Sequence, residues 1–167
     1  EGCVAKEEMS TSYALRPIVR AASSLPTLMP PAENGGESYV DGARGPNGGL
    51  PFDQPRRESY RKVLVVLTRP RDYVKAPMPA SVGALLRAAY RQFPSVFEGV
   101  AQRPDRYNAG RKFLFELEER GQAYVFAPDN LWINNTESRR ERLEATYRAG
   151  LVQAVREMPT IKAFLGL

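Results

Sequence analysis

Asp41 is the residue in this sequence best placed to do chemistry. It follows Ser38-Tyr39-Val40, a short strand by its pattern, and it precedes Gly42 in a glycine-rich turn. The 167 residues contain no histidine. A hydrolytic reaction here must therefore use a base other than imidazole, and a carboxylate at a strand end is the obvious substitute. The pattern predicts a catalytic role for Asp41.

An Asp-Gly pair by itself is weak evidence, because such pairs are common turn formers. Two features of the surroundings favour catalysis at Asp41. A strand end is rigid and can aim a carboxylate at the active edge of an α/β fold. In addition, Gly42 leaves room for another loop to approach the backbone closely.

Ser23 and Ser24 are alternative candidates for a nucleophile. They follow a helical stretch and precede Leu25-Pro26, and the motif G-x-S-x-G occurs nowhere in the chain. A nucleophilic serine usually occupies that sharp strand-to-helix turn. We therefore expect both hydroxyls to make hydrogen bonds at a helix end instead.

Other types of site find little support in the sequence. The glycines of residues 42–49 lack the spacing of either phosphate-binding motif, so this segment is interpreted as a loop. With no histidine and with Cys3 as the single cysteine, no metal ligand is expected. We expect no cofactor.

The charge is moderately basic, with 24 Lys and Arg against 19 Asp and Glu. Most arginines alternate with glutamates on helical stretches, which favours solvated faces over nucleic-acid binding. No run approaches the roughly 18 apolar residues of a membrane span, and one cysteine fits a reducing compartment. A cytoplasmic location is expected. Contact with an anionic membrane stays open through one arginine cluster, namely Arg56, Arg57, Arg61, Arg69 and Arg71.

The periodicity of apolar residues predicts alternating helices and strands. The segment 62–68 has five consecutive apolar residues, which indicates burial on both faces, as in a parallel sheet. Phe113, Leu114 and Leu117 are expected to face the core, and Gly121 to end their helix. Helices are predicted over 13–22, 82–93, 94–103, 104–120 and 138–158, and strands over 38–40, 62–68 and 122–127.

A change in character near residue 76 suggests two parts. Pro77 and Pro79 form a stiff connection, after which helical patterns dominate. We expect residues 1–75 to be one part of an α/β domain and residues 76–167 to be a mainly helical α+β extension. Each predicted helix has an apolar stripe that needs a partner.

Three segments, taken in order, resemble the later half of a bacterial patatin-like phospholipase. They are Ala21-Ala22-Ser23-Ser24-Leu25-Pro26, Tyr39-Val40-Asp41-Gly42-Ala43 and Lys62-Val63-Leu64-Val65-Val66-Leu67-Thr68-Arg69-Pro70. Residues further on, among them Arg106-Tyr107-Asn108, are similar to a C-terminal extension found on one bacterial branch of that family. The resemblance spans nearly the whole chain.

The resemblance implies a serine acyl hydrolase with a Ser-Asp dyad in a three-layer α/β/α domain. Asp41 matches the aspartate of that dyad. The family's G-x-S-x-G motif and its glycine-rich oxyanion segment both precede the region matched here. We therefore expect these residues to be the C-terminal part of a longer enzyme that acts on lipid or other acyl esters, and to be inactive alone. The alternative is a stand-alone module whose basic face binds anionic lipid or nucleic acid.

Overall fold

The computed structural model describes residues 12–167 except 25–28, 43–47, 51, 53–54, 56, 93 and 135. That part of the chain contains both helices and short strands, and the protein is of mixed α/β class. The helices are α1 (Ser12–Ser23), α2 (Ala80–Ala89), α3 (Pro94–Ala101), α4 (Arg103–Glu119) and α5 (Arg140–Leu165). The strands are β1 (Ala32–Asn34), β2 (Glu37–Tyr39), β3 (Val63–Val66) and β4 (Ala123–Phe126).

The chain forms two compact units, each built from two separate stretches. The first contains residues 1–50 and 76–109, and the second contains residues 51–75 and 110–167. The expected boundary between residues 75 and 76 stays a prediction.

In the first unit, β1 and β2 form an antiparallel hairpin in which Ala32 lies opposite Tyr39. Gly35 and Gly36 connect the strands with φ angles of 61° and 83°. A two-residue turn with two positive φ angles is the type I′ geometry, which matches the twist of the strands and favours glycine. Helix α1 packs against β1, and α2 packs against α3.

The second unit contains a parallel pair, β3 and β4, in which Val63 lies beside Ala123 and Val66 beside Phe126. The parallel arrangement expected for the 62–68 strand is therefore confirmed. One face of the pair is buried, through Val63, Ala123 and Val125. Leu114 and Leu117 of α4 are buried in the same unit, as predicted.

The expectation that β3 is buried on both faces is wrong. Leu64 and Val66 are exposed. Their neighbours in β4 lie under α5: the Tyr124 hydroxyl donates to Glu157 at 3.0 Å, and the Tyr124 ring lies 5.9 Å from that of Phe164. Helix α5 thus covers the β4 side of this face, and the β3 side stays open to solvent.

All the predicted helices are present, and α5 differs most from its predicted bounds. It was expected to end before Pro159, yet it continues to Leu165 and ends at Gly166, whose φ is 78°. Ile161 is buried beyond the proline, and this packing supports the helix past the one hydrogen bond that proline removes. A second proline, Pro17, lies inside α1 as its sixth residue.

The apolar stripe of α5 does not form its buried face. Leu143, Tyr147, Leu151 and Val155 are all exposed, whereas Gln153 is buried. The Gln153 amide donates to the Ala127 carbonyl at 2.7 Å and accepts from the Asp129 N–H at 3.0 Å. These backbone groups follow β4 and need hydrogen-bond partners when buried. Because Gln153 supplies them, the helix is oriented with this polar residue inward.

None of the helices in the described residues combines the length and apolar character needed to cross a bilayer. Helix α5 has an acidic residue, Glu141, in its first turn and a basic residue, Lys162, in its last.

Candidate functional site

Asp41 lies just beyond the hairpin of the first unit. Strand β2 ends at Tyr39, and the Asp41 N–H donates to the Ser24 carbonyl at 3.0 Å. The residue is half-buried. This hydrogen bond brings the end of the hairpin against the end of α1. It therefore places the Ala-Ala-Ser-Ser and Asp-Gly segments side by side.

The sheet that precedes Asp41 differs from the expected one. Strand β2 pairs with β1 in an antiparallel hairpin, whereas the prediction placed Asp41 at the edge of an α/β sheet. Among the described residues, the parallel pairing involves β3 and β4 of the other unit. The catalytic role of Asp41 stays a prediction.

Ser23 and Ser24 make the helix-end hydrogen bonds expected of them. The Ser23 hydroxyl donates to the Val19 carbonyl at 2.9 Å, and the Ser24 hydroxyl donates to the Arg20 carbonyl at 2.7 Å. Ser24 is completely buried. Its proton already has an acceptor in the preceding turn, so Ser24 is held as a structural residue.

Gly42 does not make the close backbone approach suggested for it. No described heavy atom lies within 4 Å of the place where a Cβ would stand, and residues 43–47 lie outside the described part of the chain. Gly48 makes such an approach instead: its φ is +63°, and a Cβ there would lie 2.5 Å from the Tyr107 nitrogen. Sequence reasoning missed this position, which only glycine can occupy without strain.

The second unit contains a polar network around Glu118. The two terminal guanidinium nitrogens of Arg71 each donate to the Glu118 carboxylate at 2.7 Å. The Val125 N–H donates to the same carboxylate at 2.9 Å, and Arg71 also donates to the Val125 carbonyl at 2.8 Å. The network joins the loop after β3 to α4 and β4. Forked pairs of this kind are geometrically specific.

The network changes the ionisation of both partners. Burial acts to raise the pKa of Glu118, but the hydrogen bonds from Arg71 and Val125 outweigh it and hold the pKa below its usual value. The hydrogen bond to Glu118 raises the pKa of Arg71. Both groups are therefore charged at neutral pH.

The Arg71 side chain therefore makes its hydrogen bonds within the protein. Arg111 of α4, which is buried, donates to the Pro70 carbonyl at 2.7 Å and the Arg71 carbonyl at 3.0 Å, so it holds the same loop. The guanidinium of Arg69 stacks on Tyr73 at 5.2 Å. Arg56 lies outside the described residues, and Arg57 and Arg61 are exposed. In the cluster suggested for lipid head groups, Arg71 thus makes hydrogen bonds within the protein, and contact of the cluster with a membrane stays a prediction.

A groove of about 360 Å³ lies between the segment after β4 and helix α5. Trp132 and Val152 contribute apolar walls, while Asp129 and Arg156 pair at its edge at 2.7 Å. The groove follows the carboxyl end of a parallel strand, which is where α/β proteins often bind ligands. Its buried polar residue, Gln153, already makes hydrogen bonds within the protein. The groove therefore offers shape and apolar surface, and its acidic residue, Asp129, is paired with Arg156.

Metal binding finds no support in the described part of the chain. There, no group of three His, Cys, Asp or Glu residues lies close enough together to hold a metal ion.

Comparison with known proteins finds one family model that matches part of the chain. Residues 93–166 match a domain of unknown function (DUF6363). The match covers less than half of the chain and includes Glu118 and the groove but not Asp41. No curated protein and no solved structure matches the chain.

Proposed function

We propose that this chain is the C-terminal part of a patatin-like lipid acyl hydrolase in which Asp41 is the base of a Ser-Asp dyad. In this proposal the preceding part of the enzyme supplies the nucleophilic serine and completes a three-layer α/β/α domain. The hydrogen bond from the Asp41 N–H to the Ser24 carbonyl carries the proposal. It joins two of the three segments on which the resemblance rests, although residues 27–38 separate them in sequence.

The chemistry needs no imidazole. The Asp41 carboxylate accepts the serine proton as the serine oxygen attacks the ester carbonyl. The proton then passes to the departing alcohol, and an acyl-serine remains. Water adds to this ester with Asp41 again as the proton acceptor, which releases the fatty acid and restores the serine. Backbone N–H groups of the preceding segment would stabilise the oxyanion.

The position of Asp41 suits this role. Its backbone is fixed by Ser24 and its side chain is half-buried, so the carboxylate can be oriented while a substrate still reaches it. Ser24 is excluded as the nucleophile within this proposal because its buried hydroxyl donates to Arg20. The substrate would be a phospholipid or another acyl ester reached from the cytoplasm, with peripheral membrane contact.

The test compares three variants of the full-length enzyme. Asp41→Asn removes the basic oxygen, and turnover of a nitrophenyl ester should fall about 100-fold or more, as is typical for loss of a general base. Asp41→Ala accompanies it, because an Asn-Gly pair deamidates readily and regenerates aspartate. Asp72→Asn changes an exposed aspartate and should leave turnover unchanged.

Ser24→Ala provides the second control. It removes one hydrogen bond but no catalytic group, so turnover should stay within about three-fold of the parent. Circular dichroism checks that each variant is folded. Full activity of Asp41→Ala, or loss of activity in a folded Ser24→Ala variant, would show that the roles assigned here are wrong.

A further inference from the structure

The outward side of α5 is apolar over its central turns. Leu151, Val155 and Met158 are exposed by 53%, 68% and 42%, and Tyr147 is exposed beside them. The opposite side of the helix is the one that contacts β4, through Gln153 and Glu157. The centre of the helix is therefore apolar on its free side, and a contiguous exposed apolar surface of this kind is typical of a face that binds another molecule.

The exposed residues follow a regular spacing. Starting from Glu144, steps of 4, 3, 4, 3 and 4 residues lead along one line of the helix surface. Alternating steps of this kind form the contact line of paired helices, where each side chain packs between residues of the facing helix. We call this line the α5 seam, and it consists of Glu144, Arg148, Leu151, Val155, Met158 and Lys162.

The α5 seam is complementary to itself when it is reversed. Its positions are symmetric about residue 153, so an antiparallel copy places Leu151 opposite Val155 and Arg148 opposite Met158. The same alignment places Glu144 opposite Lys162 at both ends. A parallel copy would instead oppose glutamate to glutamate and lysine to lysine. Opposite charges at the ends therefore select the antiparallel alignment.

We propose that α5 pairs with α5 of a second copy of this chain through the α5 seam, in an antiparallel two-fold dimer. Such an interface is isologous, because each seam contributes the same residues to both halves. The four central positions, Arg148, Leu151, Val155 and Met158, all precede Pro159, so the proline does not interrupt the layers that they form. Within its own helix, the Glu144 carboxylate accepts from Arg140 at 2.7 Å and lies 3.9 Å from the guanidinium of Arg148. Both ion pairs are exposed, and exposed pairs are weak enough that Glu144 can also pair with Lys162.

A lipid surface is the competing occupant. Helices that lie on anionic bilayers place cations around the apolar face. Here Glu144 lies in the α5 seam itself and its position mirrors that of Lys162. This arrangement favours a protein partner with the same pattern over a bilayer.

The first experiment measures the dimer dissociation constant of the full 167-residue chain by sedimentation equilibrium, from about 1 to 200 µM. Reducing agent keeps Cys3 from forming a crosslink. Val155→Glu should raise the constant about 100-fold, because every dimer would then contain two carboxylates against an apolar layer. Val152→Glu is the matched control: Val152 is exposed by 67% but lies outside the α5 seam, and the constant should change less than three-fold.

The second experiment exchanges the end charges. Glu144→Lys alone and Lys162→Glu alone should each raise the dissociation constant, by about 3- to 10-fold. The double variant restores opposite charges and should return close to the parent value. This recovery distinguishes direct pairing from a loss of helix stability, which the double variant would not repair.

Three results on the dimer itself would overturn the proposal. The parent chain could remain monomeric at about 200 µM, Val152→Glu could disrupt the dimer as strongly as Val155→Glu, or the double exchange could fail to recover. Co-sedimentation of a monomeric chain with phosphatidylglycerol vesicles, lost in Val155→Glu, would likewise overturn it and assign the surface to lipid.

Discussion

At the scale of single residues, Glu118 joins three segments, of which the loop containing Arg71 is 47 residues away in sequence and β4 is seven. Its carboxylate accepts from Arg71 after β3 and from the N–H of Val125 in β4, while the residue itself belongs to α4. Each of these bonds is charge-assisted, and losing the charge leaves a partly buried guanidinium with a poorer acceptor.

Glu118→Gln should therefore lower the free energy of unfolding by about 1–3 kcal/mol at neutral pH. The measurement is urea unfolding followed by circular dichroism. Glu119→Gln is the control, because Glu119 is the next residue along the chain and is exposed. It should change the free energy of unfolding by less than about 0.5 kcal/mol. Equal losses in both variants would contradict the role of the network.

The same carboxylate gives a pH dependence with a definite sign. The pKa of Glu118 is lower in the folded state than its ordinary value of 4.5. Its contribution to stability is thus fully present above that value and is lost as the pH falls below it. The stability difference between the parent and Glu118→Gln should shrink as the pH is lowered from neutral through 4.5 toward the folded-state pKa.

The sequence predicted some of these residue roles and not others. The hydrogen bonds of Ser23 and Ser24 were predictable because they reach only one helical turn back. The pairing of Arg71 with Glu118 spans 47 residues and depends on how β3 and β4 align, which local patterns do not specify. The contact of Asp41 with Ser24 is between backbone groups, so side-chain types carried no signal of it.

At the scale of elements, periodicity predicted where helices occur better than which side faces inward. In α4, Leu114 and Leu117 are buried as expected, but Phe113 remains 37% exposed even though its ring lies 5.9 Å from that of Phe52. In α5, the apolar stripe is exposed because buried carbonyl and amide groups next to β4 require the Gln153 side chain. The backbone groups of the neighbouring strand need hydrogen-bond partners, and this need outweighs the apolar pattern in deciding which side of the helix is buried.

Pro159 provides the test at this scale. It lies inside α5 and is exposed, so it removes a backbone hydrogen bond to Val155 without contributing much packing. Pro159→Ala should raise the free energy of unfolding by about 1–3 kcal/mol. Urea unfolding of the parent and the variant measures the difference.

Pro94→Ala is the matched control for that change. Pro94 is also exposed but is the first residue of α3, a position where proline costs no hydrogen bond and favours helix initiation. This variant should be neutral or slightly destabilised. If Pro159→Ala were destabilised as well, the proline would be stabilising α5 in a way that helix geometry alone does not explain.

At the scale of the whole molecule, the parallel pair of β3 and β4 joins residues sixty positions apart. A parallel pair needs a long crossover connection, and its open faces normally lie under helices. The exposed Leu64 and Val66 show one such face only partly covered. In the proposed enzyme, the preceding segment supplies further layers of the α/β/α domain, and these side chains are suited to contact them.

The same reasoning predicts the activity of the isolated chain. In the proposed mechanism Asp41 accepts a proton but forms no bond to the acyl group, and the 167 residues contain no G-x-S-x-G motif. A carboxylate without a nucleophilic serine and oxyanion donors cannot form an acyl-enzyme. We therefore expect hydrolysis of a short-chain nitrophenyl ester by this chain to equal the buffer rate. The same chain carrying Asp41→Ala serves as the blank for trace contaminants. Activity above buffer that disappears in the Asp41→Ala chain would show that the chain holds a complete site and that the nucleophile lies within these residues.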